Sequence, residues 1–417
     1  MLQRLLDPFR GKAVTIPPMD GPLRPNNALD EARAVAEVAE PDNLILAGGR
    51  VLFSSGGALL SLTLPLEGRS RPAESVQVGS NSTPDRHPRA SRARPEEPEP
   101  RGAFLGSRVK PENDSAFETQ RERTETPAEL ARFDAAIAAL AAASDGSLAV
   151  ALDDGRILLR GGAHDGKIIA AVGADALACP TAVAFADPDT LLVCQGSTRV
   201  RPSEWVVDLM SRSRAGSVWR IDLASGAETM LAGDLAFPSG IALLPGARVA
   251  VADSWRHRLL AFPATGGKPK VLLDKLPGYP SRLAPAADGG FWLSLFAPRN
   301  RLIEFILQEE DYRSEMIRDV DRSHWIAPAL SARRSFLEPL QCGGVRTMGV
   351  FKPWSPTMSY GLLVKLDAGL QPVASFHSRA AGVRHGITSA LGHGGELFAT
   401  SRGGDAVLAL PASGTGS

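Results

Sequence analysis

Ser239, in the stretch Phe237-Pro238-Ser239-Gly240, belongs to a small set of residues in this 417-residue chain that could act on a small molecule. The others are Asp42, Asn43, Thr181, Gln195, Asp253, Ser281, Arg282 and His385. Three kinds of chemistry are open to them. Asp42 could orient the imidazole of His385 as a general base, with Ser239 or Ser281 as nucleophile and Arg282 as an oxyanion partner. Asp42, Asn43 and Asp253 carry the oxygen ligands that a hard cation such as calcium takes. Thr181, Gln195, Ser239, Ser281 and Arg282 could instead only hold a substrate. His385 is open as a general base without a serine, as a substrate contact, or as a satisfied structural histidine. The serines are open as plain strand caps that satisfy backbone groups.

What must position these residues is a repeat. In residues 235–262, "LAFPSGIALLPGARVAVADSWRHRLLAF", apolar runs at Ile241–Leu244, Val249–Ala252 and Leu259–Phe262 are parted by Pro245-Gly246 and by the polar Asp253–His257. Related units begin near residues 44, 137, 181, 240, 281 and 386. Their turns are Gly48-Gly49, Gly56-Gly57, Asp145-Gly146, Asp154-Gly155, Gly394-Gly395 and Gly403-Gly404. Such pairs between short apolar runs are hairpin signals, because tight two-residue turns need positive φ. The shorter spacings, from 41 to 59 residues, fit a four-stranded propeller blade. The expected fold is an all-β, six-bladed β-propeller, a single domain over 1–417.

Two long gaps need insertions. Residues 67–128 ("RHPRASRARPEEPEPRG" and its surroundings) are rich in Pro, Arg, Glu and Ser and lack an apolar period, so a disordered insertion in blade one is expected. Residues 299–358 include "RLIEFILQEEDYRSEMIRDV", whose apolar residues fall at partly helical spacing. A helical, lid-like insertion in blade five over one face is expected, with a side plug as the alternative. Trp325 and Trp354 in it either stack on a ligand or anchor the excursion. Outside it, His257 is expected on a solvated turn and Cys194 as a buried small hydrophobe.

Aligning the six units on their first apolar strand residue predicts who faces the axis. The residues two positions earlier are Asp42, Ala135, Thr181, Ser239, Ser281 and His385, and those one earlier include Asn43, Gly240 and Arg282. The ends of the second strands add Asp153, Gln195, Asp253 and Ser401. Blades six and one are neighbours in a closed ring, which is why His385 and Asp42 are expected to approach.

Composition narrows the partners. The net charge is zero, from 46 basic and 46 acidic residues, so no global field favours nucleic acid or an anionic membrane. Three cysteines, Cys179, Cys194 and Cys342, fit neither a disulfide framework nor a zinc site. No apolar run is long enough for a membrane span, and "MLQRLLDPFRGK" does not read as a secretory signal. A cytoplasmic protein with a small-molecule ligand is expected.

The stretches "WVVDLMSRSRAGSVWRIDLASGAETMLAGDLAFPSGIALLPGARVAVADSWRHRLLAF", "LPGYPSRLAPAADGGFWLSL", "YGLLVKLD" and "HGITSALGHGGELFATSRGGDAVLAL" resemble the strictosidine synthase-like family. That family sits with the gluconolactonases and paraoxonases among calcium-dependent six-bladed propellers. The resemblance is specific from about 178 to 410. It implies a site on the axis at one face, a calcium cofactor, and activity on a small organic molecule. Ester or lactone hydrolysis is the first implied activity, and amine–aldehyde condensation another. Where metal-binding relatives carry an asparagine, this chain has Ser239; where they carry an aspartate-asparagine pair, it has Ser281-Arg282. A propeller that has lost the metal site and only binds a ligand or partner is therefore the alternative, and an Arg282 guanidinium filling the axis would favour it.

Overall fold

The structure, a computed structural model, describes residues 16–62, 124–331, 346–347, 350–351 and 357–412. The chain divides into the propeller body and a second unit, Pro65–Arg123, which lies outside the described residues. So do Cys342, Trp354 and nearly all of the stretch expected to be disordered.

Six four-stranded antiparallel sheets form the blades, each running outward from an inner strand. The inner strands are Pro41–Ala47, Ile137–Ala142, Pro180–Asp187, Pro238–Leu244, Gly278–Pro285 and Ile387–His393. They meet one another in chain order, and the first also meets the last, so the ring is closed. The all-β, six-bladed expectation holds. Tight turns join the strands where the sequence places them; Gly48 and Gly49, for example, both have positive φ (54° and 72°), which a two-residue hairpin of this kind requires.

Closure uses a strand that the repeat does not reveal. Blade six takes its outermost strand from the N-terminal side, Arg33–Glu37, which pairs antiparallel with Ala406–Pro411. Val35 and Ala36 are buried there against Leu44, Phe53, Phe398 and Val407, so the strand clasps blade six to blade one. The core is otherwise a series of apolar layers between neighbouring blades, as alternate strand residues dictate.

Each inner strand shares one irregularity. Near its upper end the register with the second strand slips, between Asp42 and Ile45, Ile137 and Ala139, Pro180 and Ala182, Pro238 and Gly240, Pro280 and Leu283, and Ile387 and Ser389. A bulge inserts an extra residue and re-aims its side chain. The extra residues here are Asn43-Leu44, Ala138, Thr181, Ser239, Ser281-Arg282 and Thr388, one set per blade at one face. Gly240 allows a close approach of neighbouring blades: a Cβ there would lie 2.0 Å from the Ser281 carbonyl oxygen.

Three short helices complete that face. Helix α1 (Trp205–Met210) lies between strands of blade three. Helices α2 (Arg301–Ile306) and α3 (Glu310–Asp319) leave blade five after Phe291–Pro298. Asn300 caps α2 by accepting from the Ile303 amide (2.8 Å). Trp325 is buried with Tyr279, Phe296, Leu209 and Met316, and its indole donates to the Val320 carbonyl, so it anchors the excursion. His257 is a correction: it is buried, not solvated, with Nε2 3.2 Å from Glu304 of α2. Arg299 binds the same carboxylate at 2.9 Å, and these hydrogen bonds hold Glu304 down to about 2, outweighing its burial.

Because Ala36 is fully buried in the closing strand, Ala36→Asp places a charge between blades six and one. It should cost about 3 kcal/mol or more, read as a lower urea midpoint, whereas Glu37→Ala, on the exposed side, should leave the midpoint nearly unchanged.

Candidate functional site

The bulged residues converge on a cavity of about 110 Å³ at the upper mouth of the axis. Its floor is Arg282. The guanidinium leaves blade five, donates through Nη1 to Asp42 of blade one (2.9 Å) and to the Thr388 carbonyl of blade six (3.4 Å), and through Nη2 to the Ala138 carbonyl of blade two (2.6 Å). Four of six blades are thus tied by one side chain. Burial lowers the Arg282 pKa, with Asp42 opposing, but an arginine remains charged. Arg402 approaches the other Asp42 oxygen at 3.7 Å while its own Nη2 holds Glu40. Asp42 therefore sits between two guanidinium groups.

The polar rim is largely satisfied by the protein itself. Ser239 Oγ lies 2.6 Å from Ser254 Oγ, and both hydroxyls reach the Pro280 carbonyl. Thr181 donates to the Cys194 and Pro238 carbonyls, and Ser281 to that of Thr388 (3.4 Å). Asp153 accepts from the amide and hydroxyl of Ser203 (2.7 and 2.8 Å), which fixes the loop leading into α1. The wall above is aromatic. Trp205, Phe237 and Phe296 line the cavity, with Leu330 of the insertion beside them. Trp205 meets Phe296 edge-on at 5.2 Å, and Phe237 stacks at 4.6 Å on Trp255, whose indole donates to Asp208.

Of the residues expected at the site, Asp42, Thr181, Ser239, Ser281 and Arg282 do line the cavity; Asn43, Gln195, Asp253 and His385 do not. His385 is the main correction. Its Nε2 bonds to the Arg379 carbonyl (2.9 Å) and its Nδ1 to Ser359 (2.9 Å), so it is a satisfied structural histidine and no bond joins it to Asp42. With Ser239 and Ser281 bonded to carbonyls and no imidazole beside them, the serine–histidine–aspartate arrangement is not assembled. Asp253 is buried within blade four, accepting from the Ala236 amide and from Arg258. Gln195 is buried behind Thr181, its pairing strand position opposite Pro180. Sequence reasoning missed Arg402, Thr388, Ser203 and the aromatic wall.

A calcium ion does not fit this donor set. Calcium takes six to eight oxygens at about 2.3–2.6 Å. Asn43 offers one buried side-chain oxygen without a partner among the described residues, but Asp42 is bound by Arg282 and the hydroxyls of Ser239 and Ser281 are directed at carbonyls. A divalent cation there would also share the axis with the Arg282 charge. Among the described residues no group of three His, Cys, Asp or Glu side chains is placed to hold a metal.

With this geometry in place, comparison with known proteins gives a consistent relationship. The NHL repeat pattern matches residues 235–262. A strictosidine synthase-like protein, number 6 of Arabidopsis thaliana, is 25% identical over 117 residues, covering 28% of this chain and 32% of that protein. The chain is weakly homologous to the strictosidine synthase-like proteins. An adipocyte plasma membrane-associated protein of Salmo salar is 26% identical over 121 residues, covering 27% of this chain and 29% of its own. The match thus spans about a third of those relatives' length. Two solved propellers are similar across 91% of this chain: a calcium-binding protein, regucalcin, of Agrobacterium tumefaciens (13% identity, 92% of that chain, TM-score 0.44) and a putative gluconolactonase (11% identity, 91% of that chain, TM-score 0.46).

The Arg282–Asp42 pair is buried and shared, so removing one partner strands the other's charge. Asp42→Ala or Arg282→Met alone should each cost about 3–5 kcal/mol in urea unfolding, and the double variant Asp42→Leu/Arg282→Met should recover much of that loss. The buried histidines set a pH dependence. Burial, with the nearby Arg379 charge, lowers His377, whose ring nitrogens bond to the Tyr360 and Ser375 hydroxyls, to about 4, and burial lowers His385 against the pull of the Arg379 carbonyl and Asp30. Both folded values lie below the unfolded value of about 6.5, so unfolding takes up protons as pH falls below 6.5, and stability present at neutral pH is lost on acidification. His377 contributes a slope approaching about 1.4 kcal/mol per pH unit between its folded and unfolded values, His385 adds in the same direction, and His377→Gln should flatten the melting-temperature profile between pH 6.5 and 4.

Proposed function

We propose that this propeller binds a small organic molecule in the axial cavity without a metal, held by the aromatic wall and oriented by the charged floor. The observation that carries this reading is the Arg282 side chain lying across the axis, paired with Asp42 and hydrogen-bonded to two blade carbonyls. Its charge on the axis disfavours a divalent cation beside it. Trp205, Phe237 and Phe296 present flat apolar surface to a ligand body, and the Nη1 of Arg402, 3.7 Å from Asp42, is directed toward the same polar floor. The ligand class is a small, flat molecule with one hydrogen-bonding edge.

Ester or lactone hydrolysis receives less support, because each carboxylate, hydroxyl and imidazole that it would use already has a protein partner. Amine–aldehyde condensation is favoured by one observation, the aromatic wall, and is included in the same test. A cytoplasmic setting belongs to the proposal too, supported by Cys179 and Cys194, which are free and whose burial pushes their thiol pKa values up.

The test is a thermal-shift screen of small aromatic and heteroaromatic compounds, lactones and aryl amines with aldehydes, run with excess calcium and with chelator, and with product analysis of each hit. The expected result is stabilisation by flat compounds that is indifferent to chelator and is lost in Trp205→Ala. Turnover of a lactone or ester that chelator abolishes, or stoichiometric calcium in the purified protein, would replace this reading with the metal-dependent hydrolase.

A further inference from the structure

Arg282 divides the axial channel in two, and the lower half has a different chemistry. Below it lies a second cavity of about 420 Å³, walled by the lower parts of all six inner strands and sharing only Arg282 with the upper one. One residue from each blade marks its outer part: Leu46, Ala142, Phe185, Leu243, Pro285 and Leu391. Apart from Arg282 at the inner end, the wall carries no charged side chain, and its other polar side chain, Ser389, is spent on the Leu44 amide (2.9 Å). Leu46 and Leu243 come from blades one and four, which face each other in a six-membered ring, and both are 41% exposed. Two leucines held open to solvent at opposite sides of a cavity are not explained by core packing, since the interblade layers close behind them.

The geometry points to a second binding site at this lower mouth, one that takes a short aliphatic chain. Blade two contributes Ala139 to Ala142, whose three steps of about 3.3 Å give a depth of about 10 Å, and the pore ends on the Arg282 partition. A deep wall without polar side chains beyond Arg282 and Ser389 offers a methylene chain continuous apolar contact and offers a polar ring system few partners. The free backbone edges of the inner strands leave hydrogen-bonding groups in the wall for one hydroxyl on the chain. This site is independent of the upper cavity and of whatever ligand that cavity takes.

The probe is the series of linear alcohols from 1-butanol to 1-octanol, titrated calorimetrically into the full-length protein. The dissociation constant should fall about fourfold for each added methylene and then level off when the tube is filled. Leu243→Glu, at a half-exposed position, should weaken 1-octanol at least tenfold while leaving the melting temperature unchanged; Leu46→Asp provides a second, independent blade. Trp205→Ala in the upper cavity should leave the alcohol affinity as it was. Affinity that does not depend on chain length, or that survives both rim variants, overturns the proposal, and loss in Trp205→Ala instead would assign the alcohols to the upper site.

Discussion

A closed ring of blades leaves a channel on its axis, edged by inner strands whose axis-facing backbone groups have no neighbouring strand to pair with. Such groups cost free energy if they are left dry and unbonded. In this chain Arg282 answers the constraint at the narrow point. Its fork of donors takes the Ala138 and Thr388 carbonyls and the Asp42 carboxylate, so one side chain satisfies edges from two blades and an acid from a third. A lysine could not span these three directions, because its single ammonium is a point charge. The separation of the channel into two cavities, the confinement of Asp42 and the misfit of a divalent cation all follow from that placement.

The upper cavity depends on a second set of joints. Ser203 grips Asp153 and so sets the start of α1, which presents Trp205. Glu304 joins α2 to His257 of blade four and to Arg299, and the excursion it begins brings Leu330 back to the cavity wall. Burial of Glu304 would by itself favour the neutral acid, but the hydrogen bonds from His257 and Arg299 prevail and keep it ionised. A charged joint of this kind orients a short helix that lacks the length to be stable alone. The aromatic wall is thus built on polar anchors set a layer behind it.

The fold was legible because its signals are local. Alternating apolar runs and glycine turns repeat at blade spacing, and each is read within about ten residues. Two features escaped for opposite reasons. The closing strand Arg33–Glu37 pairs with residues more than 360 positions away and carries no turn of its own, so nothing local marks it as part of blade six. The site was half legible because the bulges distort the counting. In blades three and four the first apolar strand residue, Val183 or Ile241, follows the bulge, and counting back two finds Thr181 and Ser239 correctly. In blades two and six Ile137 and Ile387 precede the bulge and stand where blades three and four have Pro180 and Pro238. Counting back from them gives Ala135 and His385, three residues short of Ala138 and Thr388. The expected catalytic histidine is thus an error of register of three residues, made by starting the count before the bulge instead of after it.

That register also explains Arg402 and Asp153. Ser401 pairs with Ile387, Leu152 with Ile137 and Asp253 with Pro238, so the residues that follow, Arg402, Asp153 and Ser254, occupy equivalent places just above their blades' second strands. In blade four that place holds a serine that caps a carbonyl; in blades two and six it holds opposite charges. The repeat therefore supplies the frame for a rim of any chemistry, and this chain has filled it with one acid and one base where a hydroxyl would satisfy the backbone equally well. Charges at a buried rim are costly unless they are paired or hydrogen-bonded, and here Arg402 is paired with Glu40, Asp153 accepts two bonds from Ser203, and Asp42 is paired with Arg282. A ligand entering the cavity meets a floor that is already neutral overall. Its affinity must then come from shape and from the aromatic wall, with the paired charges setting orientation more than strength.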